Sequence, residues 1–229
     1  IVLDQINVNY KLSSAQIKSL AHRQLGIGFD QLLIVEKSVL PSAEFKYRIF
    51  NSDGNEVEHC GNGARCFFLF LKSSGITNKK TIAVETKSGV ISLSFDADNL
   101  IAVNMGFAKN NFEEIPFFSE VNSKNIVSIN NVDYPFYPIS IGNPHAVIKL
   151  DSLDNIDFSL TGKQLQQSGS FPNSVNVGFL KIINKNEIAL KVYERGSGLT
   201  LACGTGACAA SIISIQNGWV TSPVTVHMD

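Results

Sequence analysis

Two cysteines occupy the same short motif at widely separated positions in the chain. The motif Cys-Gly-x-Gly-Ala occurs at residues 60–64 and again at residues 203–207, an offset of 143 residues. A thiolate is the reactive form of cysteine and can take up a proton. A reaction that removes a proton from one face of a carbon and returns one to the other face needs two opposed acid/base groups. The duplication predicts that Cys60 and Cys203 form such a pair.

The surroundings of each cysteine favour a reactive thiol. At the first turn of a helix, free N–H groups and the helix dipole lower the pKa of a thiol. Glycines let the backbone approach a ligand, and the same N–H groups can bind a carboxylate. A carboxylate held by both loops would place its α-carbon between the two sulfurs. The competing interpretation is a buried, inert thiol, and we apply it only to Cys66 and Cys208, which are predicted to be small core residues.

The same offset aligns the residues around each motif, so the duplicated unit comprises a strand, a loop and a helix. Residues 45–49 and 188–192 alternate with period two, which predicts half-buried strands. Residues 64–71 and 207–215 are almost wholly small or apolar, which predicts helices buried on all sides. Gly75 and Gly218 are predicted to end these helices.

These patterns predict an α+β fold with two pseudo-symmetric domains, residues 1–107 and 108–229. Each domain is expected to be a curved mixed sheet or barrel wrapped around a buried central helix. Further strands are predicted at residues 81–86, 90–95, 101–105, 136–141 and 146–150, and an amphipathic helix at residues 14–25. Both ends of the repeat look truncated: Gly142-Asn143 has no counterpart before Ile1, and residues 89–95 have none after Val226.

The composition excludes several classes of partner. Hydrophobic residues make up 44% of the 229 residues, and 19 basic against 20 acidic residues give a formal net charge of −1. We therefore expect neither a nucleic acid nor a membrane as partner, since no apolar run approaches the ~20 residues of a membrane helix. Cysteine and histidine spacings do not fit a zinc site. The lack of a secretory leader at the start predicts a cytoplasmic protein with free thiols.

Polar residues at strand ends are candidates for ligand binding. Asn51 and Glu194 are equivalent under the offset, and each stands nine residues before its cysteine. Asn51 could simply form a turn, and Glu194 could pair with Arg195 in solvent, but their equivalence makes ligand recognition at least as plausible. Gln31 and Asn176 occupy a second, looser repeat and carry a weaker signal. From the residues alone, His145 is predicted to be a structural histidine with satisfied hydrogen bonds rather than a catalyst.

Taken together, the motifs resemble the diaminopimelate epimerase family over essentially the whole chain. The matching segments are residues 26–32, 47–54, 60–66, 103–106, 142–145, 176–179, 193–196 and 202–207. The sequence Gly-Asn-Gly-Ala-Arg-Cys at residues 61–66 is specific, whereas a lone Cys-Gly-x-Gly would not be. The resemblance implies a cofactor-independent isomerase that interconverts LL- and meso-diaminopimelate in lysine and peptidoglycan precursor biosynthesis.

The resemblance also implies roles for particular residues. Cys60 and Cys203 correspond to the two catalytic bases of the family. The remaining positions correspond to substrate-binding residues: Gly61, Asn62, Gly204 and Thr205 for the reacting carboxylate, Asn51, Asn143, Asn176 and Arg195 with nearby Gln31 largely for the distal end, and His145 and Glu194 beside the reacting amino group. Two features depart from the family: the opening Gly-x-Gly-Asn-Asp-Phe segment is absent, and Leu199 replaces a usual acidic residue, which puts the local polar network in question.

Two alternatives stay open at this point. One is a racemase of the proline racemase type, although that family tends to carry histidine at the position of Asn62. The other is a thiol switch or ligand-binding protein without turnover. The expected partner is a small amino-acid substrate, and a homodimer is left open as an assembly.

Overall fold

The computed structural model describes residues 1–8, 10–58, 60–118, 125–129 and 132–228. The chain divides into two compact units, Ile1–Gly106 and Phe107–Asp229. Within the described residues, each unit contains one seven-stranded sheet and two helices. This arrangement confirms the predicted α+β class.

The first unit is a mixed sheet. Its elements are β1 (Val2–Asp4), α1 (Ser14–Ala21), β2 (Gln31–Lys37), β3 (Phe45–Asn51), β4 (Glu56–Val57), α2 (Gly61–Ser73), β5 (Thr81–Thr86), β6 (Gly89–Phe95) and β7 (Ile101–Asn104). The strands follow the order β1-β2-β3-β5-β6-β7, with β4 paired to β3. The pairs β1–β2 and β3–β5 are parallel, and the others are antiparallel.

Both faces of β2 are covered, because successive side chains of a strand point in opposite directions. Leu33 and Val35 belong to the core around α2, whereas Leu32 and Ile34 pack with Ile17 of α1. Helix α2 contacts β2, β3, β6 and β7. These strands stand near opposite ends of the strand order, so the sheet must curve around the helix for all of them to reach it. This agrees with the predicted curved sheet around a central helix.

The second unit repeats this plan. Its elements are β8 (Ile126–Ile129), β9 (Val132–Ser140), β10 (Pro144–Lys149), α3 (Phe158–Gln167), β11 (Asn176–Asn184), β12 (Glu187–Glu194), β13 (Gly198–Thr200), α4 (Gly204–Gln216) and β14 (Thr225–His227). The order is β13-β12-β11-β10-β9-β8, with β14 parallel to β12. Helix α4 contacts β9 to β12, while α3 contacts β11 to β13.

The strand registers confirm the repeat. Helices α2 and α4 are both 13 residues long and start 143 positions apart, at Gly61 and Gly204. Phe50 of β3 lies opposite Leu32 of β2. Tyr193, which the 143-residue offset aligns with Phe50, lies opposite Val177 of β11, and both strand pairs are antiparallel. The glycines after the helices, at positions 75 and 218, have φ values of 69° and 70°, a left-handed conformation that ends a helix.

Two element boundaries differ from the sequence prediction by four residues, the largest differences. Helix α1 ends at Ala21 rather than at residue 25. The imidazole Nδ1 of His22 accepts hydrogen bonds from the N–H groups of Gln24 and Leu25 (3.2 and 3.1 Å), which removes these donors from the helix. Strand β9 begins at Val132, four residues earlier than predicted, and continues through Pro135. An antiparallel pair uses only alternate N–H groups on one side, so a proline can be accommodated.

The central helices are not buried on all sides, which corrects the prediction. Beyond the two buried glycines of its first turn, the buried residues of α2 form one stripe at helical spacing: Ala64, Phe67, Phe68 and Leu71. Cys66 is exposed and Leu69 is 56% exposed on the remaining face. Cys66 is therefore not a core residue, and Cys208 of α4 is only half-buried. No helix in the described ranges is long and apolar enough to cross a membrane.

Candidate active site

Cys60 is the residue that caps the N-terminus of α2. Its backbone is extended, and its Sγ accepts a hydrogen bond from the N–H of Gly63 at 3.3 Å. The N–H groups of Gly61 and Asn62 have no carbonyl partner within the helix, because they belong to its first turn. This turn offers donors to a sulfur and to a bound anion at the same place.

Two polar pairs accompany Cys60 in the first unit. Gln31 and Asn51 lie opposite each other on β2 and β3, and the Gln31 side-chain amide donates to Asn51 Oδ1 at 3.1 Å. Asn62 Oδ1 accepts a hydrogen bond from the guanidinium of Arg65, one turn further along α2. The predicted residues of this unit therefore form three local groups, around Cys60, at Asn51 and at Asn62.

Cys203 occupies the equivalent position before α4 in a different environment. Its side chain forms no capping hydrogen bond, and its Sγ lies 3.5 Å from the hydroxyl oxygen of Thr205. It is only 5% exposed. Burial, followed by the charge of Glu194, raises the pKa of Cys203 to about 12. The Thr205 hydroxyl and the N–H of Gly206 each act to lower the pKa of the thiol, but they are outweighed. In the resting protein Cys203 is therefore a protonated thiol.

A chain of hydrogen bonds extends from Cys203 through predicted site residues. The Asn143 side-chain amide donates to Thr205 Oγ1 at 3.3 Å, and Asn143 Oδ1 lies 3.1 Å from His145 Nε2. Burial, with a smaller effect of Arg195, lowers the pKa of His145 to about 3. His145 is therefore neutral. Because a carbonyl oxygen only accepts, the proton of His145 resides on Nε2.

The remaining predicted residues lie at neighbouring strand ends: Asn176 begins β11, Glu194 ends β12, and Arg195 follows it. Thr200 donates to Glu194 Oε1 at 2.6 Å, which holds the carboxylate beside Cys203. Asn176 Oδ1 accepts from the N–H of Arg195 at 2.9 Å. Leu199 is 48% exposed and supplies no polar group here. The second unit thus gathers its site residues into one connected group.

Sequence reasoning missed two residues of these sites. Tyr47 of β3 lies beneath the Cys60 turn, and Thr200 holds Glu194. The repeat did contain a signal for Tyr47, because the offset aligns this polar residue with the apolar Leu190. In the part of the chain that the structure describes, no three histidine, cysteine or acidic side chains gather where they could hold a metal ion.

Comparison with known proteins identifies the family. The family model described as diaminopimelate epimerase matches residues 1–110 and 137–229. The diaminopimelate epimerase of Ectopseudomonas mendocina is 45% identical over 228 residues, covering 99% of this chain and 83% of that protein. The enzyme of the same name from Nitrosospira multiformis is 44% identical over 227 residues, covering 99% and 82%. The chain belongs to the diaminopimelate epimerase family. The resemblance that the motifs indicated is confirmed.

Solved structures confirm the fold at lower identity. A hydroxyproline epimerase from Agrobacterium vitis gives a TM-score of 0.67 at 12% identity, covering 93% of this chain and 68% of that one. A probable proline racemase from Agrobacterium radiobacter gives 0.66 at 11% identity, covering 97% and 78%. At these identities the likeness concerns the architecture alone. The chain therefore shares its fold with these two proteins.

Proposed function

We propose that this protein is a diaminopimelate epimerase that interconverts LL- and meso-diaminopimelate without a cofactor. The observation that carries the proposal is the repeated cysteine at the N-terminus of each central helix, in a chain that belongs to this family. The reaction serves lysine and peptidoglycan precursor synthesis, and we place it in the cytoplasm.

The proposed reaction uses one thiol as base and the other as acid. In one direction the Cys60 thiolate takes the α-proton, and the Cα–H electron pair passes into an enediolate-like anion. The S–H bond of Cys203 then breaks and delivers its proton to the opposite face of the same carbon. The high pKa of Cys203 agrees with this donor role. The reverse direction exchanges the two roles.

The remaining site residues stabilise charge and hold the substrate. Backbone N–H groups at the starts of α2 and α4 would bind the reacting carboxylate and stabilise the anion. Glu194 would pair with the reacting ammonium group, next to neutral His145. The residues proposed for the distal end of the substrate are Asn51, Asn143, Asn176, Arg195 and Gln31.

The proline racemase alternative receives less support. Two solved structures, a hydroxyproline epimerase and a probable proline racemase, resemble the chain at 11–12% identity, and this likeness concerns the fold alone. Asn62 also stands where that family tends to carry histidine. A non-catalytic thiol switch gains no support from Cys203, since a thiol with a high pKa reacts slowly with oxidants.

The test is a substrate panel for the purified protein. Each diaminopimelate isomer is incubated separately, alongside L-proline, trans-4-hydroxy-L-proline and L-lysine, and the stereoisomers are separated by chiral chromatography. We expect both diaminopimelate isomers to reach the same mixture and the other amino acids to stay unchanged. Racemisation of proline without conversion of diaminopimelate would refute the proposal. Light scattering on the same sample tests the homodimer, which remains a prediction.

A further inference from the structure

Tyr47 is a buried polar residue that the proposed reaction does not use. It lies in the middle of β3, is 1% exposed, and packs its ring against Phe67 of α2 with the ring centroids 4.8 Å apart. Burial, followed by negative charge at Cys60 and Cys66, raises the pKa of Tyr47 well above its ordinary value of 10.0. The hydroxyl therefore stays protonated and acts as a hydrogen-bond donor.

The hydroxyl of Tyr47 touches the turn that presents Cys60. It donates to the backbone carbonyl of Cys60 at 3.5 Å. It also occupies the space where a side chain at Gly63 would begin: a Cβ there would lie 2.1 Å from the Tyr47 oxygen. One hydroxyl thus contacts both the residue that carries the thiol and the residue whose N–H points at that thiol.

The second repeat has no hydroxyl at the position equivalent to Tyr47. Leu190 occupies the position of Tyr47 and is 2% exposed, so no hydroxyl lies beneath the Cys203 turn at that position. A Cβ on Gly206 would first meet Val192, at 3.0 Å. The cap is fully formed at Cys60, whereas at Cys203 no capping hydrogen bond is formed and the N–H of Gly206 only helps to lower the pKa of the thiol. Within the described chain, the hydroxyl and the formed cap occur together in the first repeat, and the second repeat has no hydroxyl at the equivalent position.

We infer that Tyr47 is a positioning residue, whose hydroxyl fixes the first turn of α2 so that the Gly63 N–H caps the sulfur of Cys60. The capping hydrogen bond favours negative charge on this sulfur. In the proposed epimerase reaction Cys60 carries that charge, so the inference extends to catalysis if the proposed function holds. Tyr47 itself touches no substrate in this account.

Tyr47→Phe tests the inference with little change of shape. The ring contact with Phe67 is kept, and the Cys60 carbonyl still accepts from the N–H of Ala64 at 2.9 Å. Tyr137→Phe is the matched control, because it removes a hydroxyl from β9, where the ring packs on Trp219. Thermal unfolding of both variants checks that each remains folded.

The readout is the rate at which iodoacetamide labels each thiol at one fixed pH, followed by peptide mapping. Trypsin separates Cys60 (residues 49–65) from Cys66 (residues 66–72), and fragmentation distinguishes Cys203 from Cys208. Loosening a hydrogen bond to a charged sulfur should slow labelling of Cys60 by roughly threefold to tenfold. Cys203, in the same molecule, should react at the unchanged rate, as should both thiols in Tyr137→Phe.

Enzyme kinetics give a second readout. We expect Tyr47→Phe to lower kcat for both isomers while KM stays unchanged, because binding does not involve the hydroxyl. An unchanged labelling rate at Cys60, or an equal slowing at Cys60 and Cys203, would overturn the inference. If the wild-type protein did not convert diaminopimelate, the proposed function would fail, and the labelling rates would still decide the role of Tyr47.

Discussion

The charge of Glu194 should suppress the reactivity of Cys203, and Glu194→Gln removes that charge at nearly constant shape. Burial and Glu194 together raise the pKa of Cys203 from 9.0 to about 12, and burial is the larger cause. As the working figure for Glu194 we take about one pH unit, the low end of the effect of a single neighbouring charge. One unit corresponds to about 1.4 kcal/mol.

The expected change in rate follows from this shift. A pKa lower by about one unit gives about ten times more thiolate at pH 8, where Cys203 is almost entirely protonated. A less basic thiolate is also a weaker nucleophile, with a Brønsted coefficient of about 0.4–0.5. The two effects together predict that Cys203 of Glu194→Gln reacts about three to four times faster with a disulfide reagent.

The assay uses 4,4′-dithiodipyridine, a neutral reagent whose approach does not depend on the deleted charge. Samples are quenched in acid and mapped, so that Cys60 serves as the control within the same molecule. Its rate should be the same in wild type and variant. A rate at Cys203 that is unchanged or lower in Glu194→Gln would refute the assignment of part of the high pKa to this carboxylate.

Two further predictions concern stability. Gly162→Ala should lower the free energy of unfolding in urea by about 1–2 kcal/mol, since overpacking outweighs the gain in helix propensity: the new Cβ would lie 2.4 Å from Cγ of Tyr193. The exposed Ser159→Ala in the same helix is the control, and an equal effect of both changes would contradict the packing argument. His145 stays neutral to about pH 3 when folded, but its unfolded form takes up a proton near its ordinary pKa of 6.5. Wild type should therefore lose about 1.4 kcal/mol of stability per pH unit from pH 6.5 downwards relative to His145→Gln, and parallel pH profiles of the two proteins would exclude this contribution.

The repeat explains why so much of the fold and site could be predicted from sequence. Cys60 and Cys203 share a motif, and their helices share length and glycine endings, so each copy supports the interpretation of the other. Local periodicity also located β5 at residues 81–86 as the structure has it. These features depend on residues close together in the chain.

The failures depend on contacts that the linear pattern does not contain. Helix α1 ends early because the side chain of His22 binds backbone N–H groups. The exposure of Cys66 depends on which face of α2 the curved sheet covers. Tyr47 and Thr200 gain their roles only when strand pairing brings them beneath Cys60 and beside Glu194.

The fate of the α-proton tests the two-thiol account most directly. LL-diaminopimelate is incubated with the enzyme in heavy water, and the deuterium content of each isomer is measured by mass spectrometry during the first few per cent of conversion. A separate acid thiol predicts that the meso product carries one deuterium at the inverted carbon from the first turnovers, while the remaining LL substrate keeps its protium. A meso product that retains the original proton would show transfer by a single base and would contradict the assignment of Cys60 and Cys203 as opposed partners.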